Sequence, residues 1–321
     1  MRPQIKLTPS RLRDFIACPF KYARLYGRAQ EYQQMAPKAP LVAQPESTTN
    51  AMSSVMSMSN NLHAALDTLH RPSRAELLGL NEPYSPGTVS DFRSLSEEDL
   101  SRLMSEHWRP EGYEDTQSEE AAFLQACDIL KYYVRSDHTP KGQVLATEAY
   151  LTCNTTLSGH TVQLSCRADR VELFADGTLE MLDYKLSKTG GLPSAAELAA
   201  DLPSFIYFLL LWHSYRRDAR VRNIRLAQLN LLSLTRVAVV YEQFQIVRHR
   251  EALTELVSTV MSGEPLEPRV NAGCSWCPVL ASCPAWSELD LADLENFAAW
   301  RTRREAAENG QAEEGPQAHA G

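Results

Sequence analysis

The sequence predicts a mixed α/β fold in which helices precede and follow one compact block of strands, and three observations carry that expectation. Apolar residues recur at helical spacing within residues 8–27, 57–70, 96–107 and 117–136. Three stretches near 143–152, 160–174 and 178–186, separated by short polar turns, read as strands. Helical patterns return near 194–217 and 245–262, with two more apolar strands near 224–242 between them, so helices and strands interleave.

The elements follow in order. Residues 8–27 have Thr8 in the N-cap position, Pro9 at the first helical position, and Leu12, Phe15, Ile16, Phe20 and Ala23 on one face. Pro19 disfavours helical geometry at Cys18, so the helix is expected to kink or restart there. Residues 29–56, rich in Gln, Pro, Ser, Thr and Met, read as an inserted loop, and 71–94 as a second, polar one. After the strands and helices of the central block come a cysteine-rich segment at 273–284, a helix near 287–306, and a tail whose composition suits disorder. The domain reading is therefore a single domain over 1–303 with a disordered tail at 304–321.

Composition narrows the class. The chain has 321 residues, 44% hydrophobic and 22% charged, which is ordinary globular usage. No run of about 18 apolar residues occurs, and the first residues lack a signal-peptide stretch, so a cytoplasmic protein without a membrane partner is expected. Seven cysteines, an odd number in a long chain of this kind, favour thiols or metal ligands over a disulfide framework. A net charge of −8 argues against a polyanion partner, but the charge is unevenly spread. Residues 1–28 carry seven Lys and Arg against Asp14 alone, and "RRDARVRNIR", which begins at Arg216 and Arg217, carries five arginines against Asp218. Each island suits a phosphate backbone, or simply a solvated face.

The densest chemistry lies in "SCRADRVELFADGTLEMLDYKLS", residues 165–187. With Ala175-Asp176-Gly177 as a three-residue hairpin loop, Phe174 faces Thr178 and paired residue numbers add up to 352. Asp169 then stands opposite Asp183, about 5 Å apart at Cβ, with Lys185 two residues further on the same face. A two-residue loop on Asp176-Gly177 would shift the register by one and send the carboxylates to opposite faces. Like charges across a ladder are unfavourable unless something cationic lies between them. Hard oxygen ligands of this kind suit magnesium or manganese. A lysine beside such a metal would stabilise developing negative charge.

These residues carry a resemblance. "RADRVEL" followed by "LDYK" resembles the paired motifs of the PD-(D/E)XK nuclease superfamily, in particular its RecB-like branch. "LTPSRLRDFIACPFKYARLYG" at 7–27 is similar to that branch's opening helix, "SNNLHAALD" at 59–67 to its histidine helix, and "EPRVNAGCSWCPVLASCP" at 267–284 to its closing cysteine segment. The resemblance implies a restriction-endonuclease-like core, a central mixed sheet flanked by helices. It also implies a magnesium or manganese ion held by His63, Asp169, Asp183 and the main-chain carbonyl of Tyr184, with Lys185 catalytic. Glu148, in "ATEAYL", matches an acidic position on the strand before the hairpin. There are two departures: Pro203 stands where the family has Gln four residues before a tyrosine, here Tyr207, and Ser59 stands where Gly is usual.

Cys274, Cys277 and Cys283 form a C-x2-C-x5-C group, and Cys18, like Cys277 and Cys283, is followed by proline. Four thiolates so placed suit zinc or an iron–sulfur cluster. The resemblance selects a 4Fe-4S cluster, a staple joining the N- and C-terminal segments. Together these features imply a metal-dependent DNA nuclease, of exonuclease type, hydrolysing phosphodiesters at single- or double-stranded ends in DNA repair, recombination or CRISPR-type processing. Tyr207, Arg216 and Arg217 are candidates for substrate contact. No Walker-type G-x-x-x-x-G-K-S/T run occurs, so unwinding falls to a helicase or another repair or CRISPR partner. The alternative is an iron–sulfur DNA-binding or scaffolding subunit with weak or lost turnover, and Pro203 is the feature that favours it.

Overall fold

The helix break expected at Pro19 is present. Helix α1 spans Pro9–Ala17 and α2 spans Pro19–Tyr26. Cys18 between them is extended, with φ −159° and ψ 105°, and caps α2 by accepting a hydrogen bond from Lys21 N at its sulfur. The computed structural model describes residues 5–27, 54–71, 90–187, 191–274 and 277–285. The helix expected near 287–306, the tail, and most of the inserted loops lie outside the described residues. The chain divides into two compact units, Met1–Pro9 with Glu46–Ser258, and Ser10–Pro45 with Thr259–Gly321.

In the first unit, helices α3 (Ser54–His70), α4 (Ser90–Arg93), α5 (Glu97–His107) and α6 (Thr116–Arg135) precede most of the sheet. Ser96 with Asp99 and Asp115 with Ser118 form capping boxes that satisfy the first free N–H groups of α5 and α6. The strands are β1 (Ile5–Leu7), β2 (Gln143–Leu157), β3 (His160–Leu173), β4 (Thr178–Lys185), β5 (Asn223–Asn230) and β6 (Arg236–Val239). They form one mixed sheet in the order β1-β3-β4-β5-β6, with β2 also paired to β3. The β1–β3 and β4–β5 pairs are parallel; β2–β3, β3–β4 and β5–β6 are antiparallel.

The β3–β4 hairpin takes the three-residue loop. Phe174 N donates to Thr178 O, Gly177 N donates to Phe174 O, and Gly177 holds φ +85°. Val171 pairs with Met181 and Arg170 with Leu182, the expected register, and the paired ladder ends there, one residue short of Asp169 and Asp183. Alternation along β4 then sends Leu182 and Tyr184 to one face and Met181 and Asp183 to the other. The first face joins a core with Leu62 and Leu66 of α3, Leu100 and Met104 of α5, and Leu130 and Tyr133 of α6.

Two expectations are corrected. The helical stretch near 194–217 is two helices, α7 (Ala195–Ala200) and α8 (Leu202–Tyr215). Asp201 ends one and caps the next, accepting from Ser204 N at 2.9 Å, a local bond that competes with helix continuation before Pro203. Strand β1 was not foreseen, because three residues hold too little pattern to register as a strand. Helix α8 carries apolar side chains all around and packs against β2, β3 and β5, as a helix enclosed by its own domain should. Helix α9 spans Gln243–Met261. Among the described residues no helix is long and apolar enough to cross a membrane.

Candidate active site

The site is built at one level of the sheet, where β2, β3 and β4 run side by side and α3 passes. On β2, Glu148 lies between Thr147 and Ala149, which pair with Arg170 and Ala168, so it faces Asp169. Glu148 has φ +46°, a left-handed backbone that a non-glycine residue adopts at a cost of roughly 1–2 kcal/mol. Its carboxylate reaches His63 of α3, with Nδ1 3.3 Å from Oε1, while Asp169 Oδ2 is 3.6 Å from the same nitrogen. One ligand atom from each of His63, Glu148 and Asp169 lies within 4.8 Å of the other two, a donor set of one nitrogen and hard oxygens that fits magnesium or manganese.

Asp169 is anchored by the backbone: Tyr184 N donates to its Oδ2 at 2.7 Å. Asp183 is 8% exposed and is met from two sides, by Lys185 Nζ at 2.6 Å and by Gln228 Nε2 at 3.4 Å. Gln228 pairs with Asp183 across β4–β5. Lys185 remains partly exposed, so its ammonium faces both the carboxylate and solvent.

Electrostatics follow from crowding. Burial pushes the Asp169 carboxyl up to about 7, and the neighbouring Asp183 charge adds to the rise, although His63 and the Tyr184 N–H pull the other way. At His63 burial lowers the pKa, but the hydrogen bond to Glu148 and the charges of Asp169, Glu148 and Asp183 outweigh it, so the net direction is up. Lys185 and Arg167 bring positive charge to Asp183 and Glu148, whereas Asp169 has only His63 at ion-pair distance, so a divalent cation would favour its charged form.

Beneath the site lies a polar network that sequence reasoning missed. Arg170, 3% exposed, donates through Nη1 to Tyr133 Oη at 2.7 Å and Tyr184 Oη at 3.1 Å, and its Nη2 is 3.1 Å from Glu172 Oε2. His70 Nε2 meets Tyr133 Oη at 2.8 Å. Tyr184 is thus held from both ends, by its ring hydroxyl in the network and by its N–H on Asp169. The available signal was an arginine and a glutamate, Arg170 and Glu172, interleaved with the apolar Val171 and Leu173 at the end of β3.

Tyr207 is a half-buried residue of α8. Arg216 caps the C-terminal end of α8, and the segment after it enters β5 beside the hairpin turn, where Arg222 N donates to Gly177 O. Along β4 that end is about 23 Å from Lys185, at roughly 3.3 Å per residue, so the start of β5 lies far from the carboxylates.

The second unit holds its own constellation. Cys18, Cys274, Cys277 and Cys283 line one cavity of about 120 Å³. Cys18 Sγ accepts from Arg269 N at 3.3 Å as well as from Lys21 N, and Cys274 Sγ accepts from Asn271 N at 3.3 Å. Burial pushes the Cys277 and Cys283 thiols up, and the other sulfurs around the cavity add to the rise. Among the described residues no three of these sulfurs lie within 4.8 Å of one another.

A mixed sheet that brings one histidine, three carboxylates and a lysine to neighbouring strands is the build of an α/β nuclease. The model of the PD-(D/E)XK nuclease superfamily matches residues 6–284, and the chain belongs to that superfamily. Comparison with curated proteins gives no match. Two solved structures are similar at low identity. One is the crystal structure of SSO0001, 17% identical, covering 70% of this chain and 95% of the other with a TM-score of 0.29. The second is the Eubacterium rectale protein named "Putative exonuclease", 13% identical, covering 79% and 94% with a TM-score of 0.35.

Proposed function

We propose that this nuclease is a metal-dependent deoxyribonuclease, acting as an exonuclease, with its reacting centre at His63, Glu148, Asp169, Asp183 and Lys185. The observation that carries the reading is the gathering of His63, Glu148 and Asp169 within 4.8 Å, beside an Asp183 already paired with Lys185. His63, Asp169, Asp183 and the Tyr184 carbonyl would hold magnesium or manganese, with Glu148 bonded to His63 at its edge. When bound, such an ion polarises a phosphoryl oxygen and lowers the pKa of an attached water.

The chain's own groups do the rest. Tyr184 N–H fixes the Asp169 carboxylate, and Gln228 and Lys185 fix that of Asp183. Lys185 presents the positive charge of its ammonium to the phosphate as negative charge builds there. The basic segment 216–225 would meet the nucleic-acid backbone away from the cut, giving salt-sensitive and sequence-independent affinity.

The second unit is read as the holder of a 4Fe-4S cluster on Cys18, Cys274, Cys277 and Cys283. The shared cavity and the backbone N–H groups on two sulfurs support a metal group on these four cysteines, and the resemblance of the cysteine segment selects the cluster over zinc. Its role is structural, tying the start of α2 to the segment at 269–283. Protein purified without oxygen should be brown, with iron and sulfide in comparable amounts that Cys277→Ser loses. A colourless protein with stoichiometric zinc would overturn the assignment. Service in DNA repair or CRISPR-type processing, with a helicase or similar partner supplying strand separation, completes the reading.

One observation favours the second reading, an iron–sulfur DNA-binding subunit without turnover: Pro203, buried in the first turn of α8, stands where the family carries Gln. Degradation of end-labelled single- and double-stranded DNA with magnesium or manganese decides between them. Wild type should shorten the label and Asp183→Ala should not. A wild type inert under both metals would leave the scaffold reading.

A further inference from the structure

Beside the candidate metal site, β2 carries its one aromatic residue, Tyr150, with 70% of its surface exposed. A strand tyrosine is ordinarily kept for burial of its ring, and this one covers almost nothing. Tyr150 pairs directly with Arg167 across β2–β3, and it lies two residues beyond Glu148, about 6.6 Å along the strand. Arg167 lies two residues from Asp169 on β3, so both point to the face that Tyr150 occupies. The Arg167 guanidinium is committed through Nε to Glu148, not to the tyrosine ring, and its side chain is 70% exposed. With the Arg167 side chain and Tyr150 each 70% exposed, both present most of their surface to solvent.

This is the chemistry of a nucleotide subsite. An exposed ring stacks a base whatever its identity, whereas a base inside a duplex already has both faces covered by its neighbours. An exposed guanidinium takes phosphate oxygens in a planar, paired geometry. Because the same arginine holds Glu148, the subsite is tied to the reacting centre. The next exposed positions along this face of β2, Thr152 and Asn154, are small and polar, so on this strand Tyr150 is the large platform beside the carboxylates.

We propose that Tyr150 and Arg167 form a single-strand clamp, in which Tyr150 stacks an unpaired base and Arg167 binds the adjoining phosphate, so that the strand reaches the site unpaired. The proposal rests on the nuclease reading for its substrate and adds the strand state.

The test is binding without turnover, measured by fluorescence anisotropy on the full chain with calcium in place of magnesium. The probes are a labelled thymidine oligonucleotide and a blunt, closed hairpin duplex. Tyr150→Ala should weaken single-strand binding about tenfold, the loss of one stacked base, and leave hairpin binding unchanged. Tyr150→Phe and Tyr150→Trp should restore the affinity, which a merely structural role of the hydroxyl would not allow. Arg167→Ala should lower the salt slope of single-strand binding by about one. Equal single-strand affinity in Tyr150→Ala and wild type overturns the clamp, and so does an equal loss on both probes. A wild type that binds as described but cuts nothing with magnesium or manganese supports the clamp and defeats the nuclease reading, so the two failures are distinguishable.

Discussion

Replacing Arg170 by Met should be the most damaging single change outside the site, and the structure sets its size. Arg170 is 3% exposed and Glu172 1% exposed, so neither charge is screened by water. Glu172 Oε1 accepts from Lys141 N at 2.6 Å and also from Gly142 N, which fixes the carboxylate where it is. Its Oε2 has Arg170 at ion-pair distance but no hydrogen bond among the described residues, so the guanidinium is the counter-charge. Arg170→Met leaves a buried, immobilised anion, and breaking such a pair from one side costs about 3–5 kcal/mol. Tyr133 and Tyr184 also lose a donor shared by both hydroxyls. With a urea slope of about 2–3 kcal/mol/M, the midpoint should fall by roughly 1–2 M. Arg170→Met combined with Glu172→Gln should recover most of that loss, because Gln keeps an acceptor for the two backbone N–H groups and removes the orphan charge. Circular dichroism through a urea titration of the four proteins of the cycle gives the coupling energy. A single-variant loss below about 1 kcal/mol, or a double variant no better than Arg170→Met, would refute the argument.

Three further outcomes follow from the same physics. Burial, then the Arg170 charge, holds His70 neutral with its pKa well below 6.5. The unfolded chain therefore takes up a proton that the folded chain refuses, and stability present above pH 6.5 is lost as pH falls below it, by about 2 kcal/mol at pH 5. Urea midpoints at pH 7.5 and pH 5 should differ less in His70→Gln than in wild type; an equal difference refutes the assignment. Manganese at a hundredfold excess over its dissociation constant should stabilise wild type by about 2.7 kcal/mol, read as a higher thermal midpoint than in chelator, and Asp169→Asn should abolish the rise. An undiminished rise in that variant would remove Asp169 from the metal site. Gly177→Ala should destabilise by more than about 1 kcal/mol, since φ is +85° and a Cβ would lie 2.7 Å from Arg220 O. Stability unchanged in that variant would mean the turn relaxes without strain.

Much of the architecture was legible because its signals are local. Pro19 dictated the break at Cys18, and Gly177 in a three-residue loop fixed the β3–β4 register as far as Arg170 and Leu182, the residues next to Asp169 and Asp183. The site itself was legible only through resemblance: nothing in the pattern around His63 or Glu148 says that α3 and β2 meet. The left-handed backbone at Glu148, the Gln228 amide on Asp183 and the Arg170 network depend on tertiary neighbours and leave no periodic trace. Asp201 was misjudged because a side-chain cap can end one helix and begin the next inside a run that reads as continuous. Tyr150 escaped notice because a strand tyrosine looks the same in sequence whether its ring is buried or bare.

The most direct measurement is the rate at which wild type and Lys185→Met shorten end-labelled single-stranded DNA at saturating manganese, with manganese binding measured on both. Lys185 touches Asp183 but is not among the residues that would hold the ion, so the variant should keep manganese affinity and lose about a hundredfold or more in rate. Equal rates in the two proteins, or a wild type that binds manganese and leaves the DNA intact, would contradict the assignment of this site as a reacting centre.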